Sequence, residues 1–321
     1  MRTVSLLVSL LLLVCAPFFG EIALDREALF DPSSADYTLF WDIRLPRVAV
    51  AFFSGAILSL AGLVFQSVFR NPLTTPFTLG VASGATLGTA VAIVFFGGIA
   101  LWQYVFGFVG AVFSVGVLFA LSRSLRSAQT HTLLLAGIAL SFFYSASLLL
   151  LLYLSDFSQS YSIIRFTMGS LGIVGMEYLY PVAAAALLFL AALRSHRNEL
   201  RLLLTSFDFA YLGGIDPTRT SIVLLLISSL AVAVCVSVVG PIGFVGLIIP
   251  HIIRMIYRSS SDRLLVPTFF YGGIFLVVCD LISRNLGTAS DIPIGVVTSF
   301  IGGPFFIYLI LRRNKGETDG R

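Results

Sequence analysis

Two arginines three positions apart, Arg44 and Arg47 in the run Trp41-Asp-Ile-Arg-Leu-Pro-Arg47, are the residues in this chain best suited to recognising a partner. An arginine fork pairs bidentately with carboxylates, and Pro46 fixes the backbone between the two. The spacing predicts a compact basic spot that holds acidic side chains of a soluble protein. Arg284 is read as a third member of that spot. The alternative for any one of them is an interfacial arginine that snorkels to lipid headgroups. Asp280 belongs to the same question, because a carboxylate in an apolar helix is costly unless paired. Arg284 lies one helical turn further on, and such a pair would draw part of the arginine's charge inward.

Residue types that do covalent chemistry are scattered. Cys15, Cys235 and Cys279 are isolated in apolar segments, so their spacing supports neither a disulfide framework nor a metal site. His131, His196 and His251 form no ligand constellation. A nucleotide-binding P-loop needs a lysine at the end of a glycine-rich turn, and the single lysine, Lys315, lies in the polar tail. The chain is therefore read as a non-enzyme with no cofactor or metal of its own. If ATP powers it, ATP and Mg belong to another polypeptide. Nothing in the sequence points to nucleic acid.

The elements that would position these residues are membrane helices. The chain is 58% hydrophobic and 11% charged, with mean hydropathy +0.99, against roughly 25% charge in an ordinary soluble domain. A hydrocarbon core of ~30 Å takes about 20 apolar residues to cross as helix. Hydropathy predicts an all-α polytopic membrane protein of about ten transmembrane helices, one transmembrane domain over residues 1–321. The segments run approximately Thr3–Phe19, Val48–Val68, Leu79–Phe96, Gln103–Leu121, Thr132–Leu154, Leu179–Leu193, Ser221–Val239, Gly243–Met255, Leu264–Leu281 and Ile294–Leu311. The sixth and eighth are short, and the eighth is either a half-helix or a continuation of the seventh. Gly240, Pro241, Gly243, Gly246 and Pro250 break the stretch GPIGFVGLIIPHIIR, and in lipid such breaks persist only where neighbours or water satisfy the freed backbone.

With a cytoplasmic N-terminus and ten spans, fifteen Lys and Arg fall inside against five outside, as the positive-inside rule expects. Both termini are then cytoplasmic. The first segment also has the look of a cleavable signal peptide, but Leu13 and Val14 before Cys15 fit a small-residue cleavage site poorly, so a retained helix is expected. Residues 20–47 form a polar external segment rich in acids, and 312–321 a cytoplasmic tail.

The loop at about 194–220 mixes Phe207, Phe209, Tyr211 and Leu212 with a Gly213-Gly214 break. A short amphipathic helix followed by a turn would offer those side chains to a cytoplasmic partner; the alternative is a loop lying on the inner lipid surface. Gln66, Ser83, Thr86, Ser141, Tyr144 and Ser145 are polar positions inside spans that would either line a translocation path or glue helices together. Gly80, Gly84 and Gly88, four apart, predict a close helix approach along one face. Spans two to five and seven to ten are offset by five, an odd number, which fits an inverted repeat.

RLPR at 44–47, SGAILSLAGLVFQSVFRNPLTTPFTLGVASGATLG from Ser54 to Gly88, GPIGFVGLIIPHIIR at 240–254 and DIPIGVVTSFIGGPFFIYLI at 291–310 together resemble the FecCD-type permeases of iron-chelate, haem and cobalamin ABC importers. The resemblance covers about residues 40–313. It implies a type II ABC importer fold in a bacterial inner membrane: two ten-helix permeases, a homodimer being expected, two cytoplasmic ATPases that bind ATP and Mg, and an external substrate-binding protein that delivers the cargo. It also implies that Arg44, Arg47 and Arg284 meet glutamates of that binding protein, and that the 194–220 loop is the coupling element seated on the ATPase. The family's Gly-Glu before an Ala and Leu-Gly pattern is missing, since Thr205-Ser206 stand there and only Leu212-Gly213 is clear. A ferric siderophore is the expected cargo, with haem or cobalamin next. The competing class is an ion-gradient-driven secondary transporter, for which Asp280 is the sole candidate coupling group.

Overall fold

The computed structural model describes residues 2–20, 22–25, 27–97, 99–124, 130–205, 207–257, 263–286 and 291–318. Every regular element among them is helical: α1 (Arg2–Cys15), α2 (Ala35–Thr38), α3 (Leu45–Val68), α4 (Val81–Phe95), α5 (Ala100–Ser124), α6 (Thr130–Leu154), α7 (Phe157–Thr167), α8 (Leu179–Ser195), α9 (Arg197–Thr205), α10 (Phe207–Leu212), α11 (Pro217–Val239), α12 (Val245–Tyr257), α13 (Leu265–Leu286) and α14 (Ile294–Thr318). Each of the ten apolar segments is thus a helix. Six stretches, Ala35–Val68, Ala100–Leu121, Thr132–Leu154, Met176–Ser195, Pro217–Val239 and Leu265–Leu286, are long and apolar enough to cross a membrane. The other four, Ser5–Phe18, Val81–Phe95, Val245–Tyr257 and Ile294–Tyr308, are shorter apolar helices.

One local reading of the sequence is corrected, an open one is decided and a third gains detail. The sixth segment is not short, because a 3-10 turn at Met176–Tyr178 leads directly into α8. The eighth does not continue the seventh: α11 ends at Val239, Gly240 takes φ +73°, and α12 is a separate helix of 13 residues. The polar segment at 20–47 is in part helical. From Ala35 it is helical, N-capped by Ser34, and a π-wound turn at Leu39–Arg44 carries the chain into α3 without a break. Hydropathy missed this start because Asp36 and Asp42 mark the stretch as polar, although a short acidic turn suits a helix N-terminus.

Pro46 sits in the first turn of α3, but the chain is already helical ahead of it, so the N–H it lacks leaves a carbonyl of the preceding turn without its helical donor. The carbonyl four residues earlier, on Asp42, accepts instead from the Gly175 N–H at 2.8 Å. α7 is an element that hydropathy did not mark. It opens on a capping box in which the Asp156 side chain accepts from the Gln159 N–H and the Gln159 side chain accepts from the Asp156 N–H, a D-x-x-Q signature visible in the sequence.

α3 is the central rod, with 83% of its apolar window buried against 11% for α6. Its small residues set how closely its neighbours approach: Gly55 abuts the Gly272 carbonyl of α13, and Gly62 abuts the Gly246 carbonyl of α12. A methyl group at Gly62 would overlap that carbonyl, so backbone-to-backbone contact here requires glycine. The expected Gly80-Gly84-Gly88 face is only partly realised. Gly84 and Gly88 do touch α5, at Gly110 and Phe106, but Gly80 is the left-handed residue that starts α4 and faces Gly137 of α6.

Candidate functional site

Two constellations stand at opposite ends of α3. At the end that the charge count assigns to the outside, the three arginines do come together, and all are buried: Arg44 is 5% exposed, Arg47 8% and Arg284 6%. The expected basic spot therefore exists as a cluster, and its guanidiniums are engaged by groups of the protein itself. Arg44 Nη1 donates to the carbonyls of Pro17 (3.5 Å) and Phe18 (3.4 Å), and Nη2 to that of Ile22 (2.5 Å). It thereby gathers the chain that leaves α1. Arg284 Nη2 donates to the Ala16 carbonyl at 2.8 Å, and its Nε lies 3.4 Å from Asp280 Oδ2, the i,i+4 pair read from the sequence.

Arg47 holds two carboxylates. Nε donates to Asp280 Oδ1 at 2.7 Å, and Nη1 donates to Asp291 Oδ2. Asp280 is wholly buried, whereas 45% of the Asp291 side chain is exposed. The Asp291 segment is pinned to α13 by a reciprocal pair: Ile292 N–H donates to the Ser283 carbonyl at 3.2 Å, and Ser283 Oγ donates to the Ile292 carbonyl at 2.5 Å. Arg47 and Arg284 thus face two carboxylates, while Arg44 spends its guanidinium on backbone carbonyls. Arg284 Nε and Nη1 and Asp280 Oδ2 make no hydrogen bond, so the 3.4 Å approach is Coulombic contact without good donor geometry. Asp291 was not singled out from the sequence. Its place beside Pro293 at the head of DIPIG is compatible with many roles, and nothing in a single sequence pairs it with a residue 244 positions away.

At the other end of α3, Gln66 bridges a broken helix. Pro250, inside α12, has no N–H for the carbonyl of Gly246. The Gln66 side-chain amide supplies the missing donor, with Nε2 at 3.0 Å from the Gly246 carbonyl and 3.3 Å from that of Leu247. Its Oε1 accepts from Arg254 Nη1 at 2.7 Å. The position read as either path-lining or packing is here a buried clamp between α3 and α12.

The remaining polar span positions separate. Thr86 Oγ1 donates to the Ala82 carbonyl (2.9 Å) and Ser141 Oγ to that of Gly137 (2.9 Å), the back-bonding habit of packing residues. Ser83 is half-buried and Ser145 exposed on α6. Tyr144 is buried and its hydroxyl has no hydrogen-bond partner.

The 194–220 loop forms the two short helices α9 and α10. Leu200, Leu203 and Ala210 are buried, Arg70 Nη2 donates to the Leu203 carbonyl at 3.3 Å, and Tyr211 and Leu212 are 76% and 82% exposed. Gly214 at φ +76° turns the chain, and Asp216 caps α11 through the N–H groups of Thr218 and Arg219. The loop is thus held at its base and presents Tyr211, Leu212 and the exposed Gly213 at its tip. The side chains of Phe207 and Phe209 lie outside the described residues.

The profile of the FecCD transport family matches residues 6–312. This chain belongs to the FecCD transport family. Among its relatives, the hemin transport system permease HmuU of Yersinia pestis is 34% identical over 312 residues, 92% of this chain and 90% of that protein. The vitamin B12 import system permease BtuC of Klebsiella pneumoniae is 34% identical over 317 residues, 98% and 93% of the two chains. The molybdate import system permease MolB of Haemophilus influenzae is 32% identical over 305 residues, 94% and 89%. A metal-chelate-type ABC transporter solved in an inward-facing conformation superposes with TM-score 0.85 at 32% identity, covering 96% of this FecCD-family chain and 98% of that one. PsaBC of Streptococcus pneumoniae, at TM-score 0.57 and 16% identity, shares the fold alone.

Proposed function

We propose that this chain is the permease subunit of an ATP-driven importer that passes a metal chelate across the bacterial inner membrane without chemistry on the cargo. The family match over almost the whole chain carries this reading. In it, ten helices span the membrane with both termini in the cytoplasm, two copies form the pathway, and two separate ATPases hold ATP and Mg. An external binding protein delivers the cargo. A ferric siderophore is the cargo favoured, with haem and cobalamin as the other members of the class; relatives named for hemin, iron chelatin and vitamin B12 support that class.

Mechanically, the exposed tip at Tyr211, Leu212 and Gly213 suits a groove on the ATPase, with Phe207 and Phe209 assigned to the same contact from the sequence. Movement there would reach α3 through the Arg70 to Leu203 contact and be transmitted along a rigid rod. Arg44, Arg47 and Arg284 are assigned to docking of the binding protein, whose glutamates would meet them at the outer end. The ion-gradient alternative asks Asp280 to exchange an ion, but that carboxylate is wholly buried between two arginines, an arrangement that opposes release. The test is co-purification. The chain expressed with its ATPase is expected to retain it, and Tyr211→Ala with Leu212→Ala to lose it without loss of folded permease. Retention of the ATPase by the doubly substituted protein would overturn the assigned contact, and a permease that never binds an ATPase would overturn the function.

A further inference from the structure

Arg47 divides its guanidinium between two carboxylates of unlike character. Asp280 has no exposure, sits in mid-helix and faces Arg284 as well, so removing it would leave two buried cations facing each other. Asp291 is nearly half exposed, lies just before α14, and holds Arg47 only through Nη1. Arg47 and Arg284 are matched by Asp280 and Asp291, while Arg44 beside them donates only to backbone carbonyls. The neighbouring external segment is acidic, with Asp25, Glu27, Asp31, Asp36 and Asp42.

We propose that Asp291 is an exchangeable internal carboxylate that occupies the outer arm of Arg47 until an acidic side chain of the external binding protein displaces it. This rests on the docking reading above and adds its regulation. An incoming glutamate makes the same kind of charge-assisted bond that Asp291 makes, so the exchange never strands Arg47 without a partner. Asp280 stays in place throughout and keeps the arginine aimed. The guanidinium of Arg47 supplies the attraction once Asp291 yields, and the acidic surroundings repel acidic proteins that lack a matching approach. Until a partner arrives, the internal ion pair keeps a buried arginine satisfied, as a chain embedded in lipid requires.

The experiment measures the affinity of the cargo-loaded external binding protein of the same transport system for the permease–ATPase complex in lipid nanodiscs, at low and at physiological salt. Asp291→Asn removes the competing charge and leaves Asp280 untouched. It is expected to tighten docking about fivefold, the scale of one partly exposed ion pair, and to steepen its salt dependence, with the thermal transition of the complex retained. Asp291→Glu keeps the charge and is expected to bind like the unmodified protein. Asp291→Ser replaces Asn should the latter not fold. Docking that is unchanged or weakened by a folded Asn or Ser variant overturns the exchange, as does equal tightening by Glu. Binding of the unmodified complex that does not respond to salt would instead sink the arginine docking reading itself, so the two failures are distinct.

Discussion

The two ends of α3 solve one backbone problem with different chemistry. At each end a proline frees a carbonyl, Asp42 ahead of Pro46 and Gly246 ahead of Pro250. At the Arg47 end the replacement donor is a backbone N–H, that of Gly175, while side-chain charge is handled separately by the cluster of Arg47, Asp280, Asp291, Arg284 and Arg44. At the other end one neutral side chain does both jobs: Gln66 repairs the helix break and also receives Arg254. The Arg47 end is locked through Asp280, which cannot leave its two arginines without stranding buried cations, while Asp291 is the exposed member of the set. The Gln66 end is held by a single amide that can let go at modest cost. On the proposed function, a rod fixed at its docking end and more loosely clamped near the coupling loop would be suited to transmitting motion from the ATPase side.

The largest effect that would break this comparison comes from the outer lock. Asp280→Asn leaves Arg47 and Arg284 buried with Asp291 alone, and removal of one partner from a buried ionic group costs about 3–5 kcal/mol. Thermal unfolding of the detergent-solubilised protein should show a marked loss; a transition equal to that of the unmodified protein would mean that the cluster is solvated and no lock. The inner clamp should cost less. Gln66→Leu orphans the Gly246 carbonyl and one arm of Arg254, worth about 1–3 kcal/mol. In a Pro250→Ala background the new N–H takes over the Gly246 carbonyl, so the same substitution should cost roughly 1 kcal/mol less. Strict additivity in that double-mutant cycle would remove Gln66 from the repair of the break.

Much of this architecture is legible in the sequence because burial in lipid writes itself as runs of apolar residues, and all ten such runs are helices. What hydropathy did not mark lies where local polarity and structure disagree. α7 has a mixed composition and announces itself only through its Asp156-Gln159 cap, and the helical half of the external segment is masked by Asp36 and Asp42. At the candidate site the Asp280–Arg284 pair was readable because helical periodicity places residues four apart together. The arginines themselves were found from their type and spacing, but their burial was not. It depends on Asp280 and Asp291 meeting Arg47 across more than two hundred residues, and on carbonyls of residues 17, 18 and 22 turning towards Arg44. A one-dimensional charge pattern carries no record of such contacts.

The smallest effect on stability is expected at the coupling tip. Tyr211→Ala and Leu212→Ala alter side chains that are 76% and 82% exposed, so unfolding should shift by no more than about 0.5 kcal/mol. Transport should fall severely all the same, as measured by cargo uptake in vesicles containing the full complex. Uptake that survives in step with stability would place the tip outside the coupling path and erase the functional contrast between the ends.

The most direct test is uptake of a radiolabelled ferric chelate into proteoliposomes that hold this permease, with its ATPase and its external binding protein added singly and together. Accumulation that requires ATP, the ATPase and the binding protein at once is the expected result. Accumulation by the permease alone under a proton or sodium gradient would contradict the account.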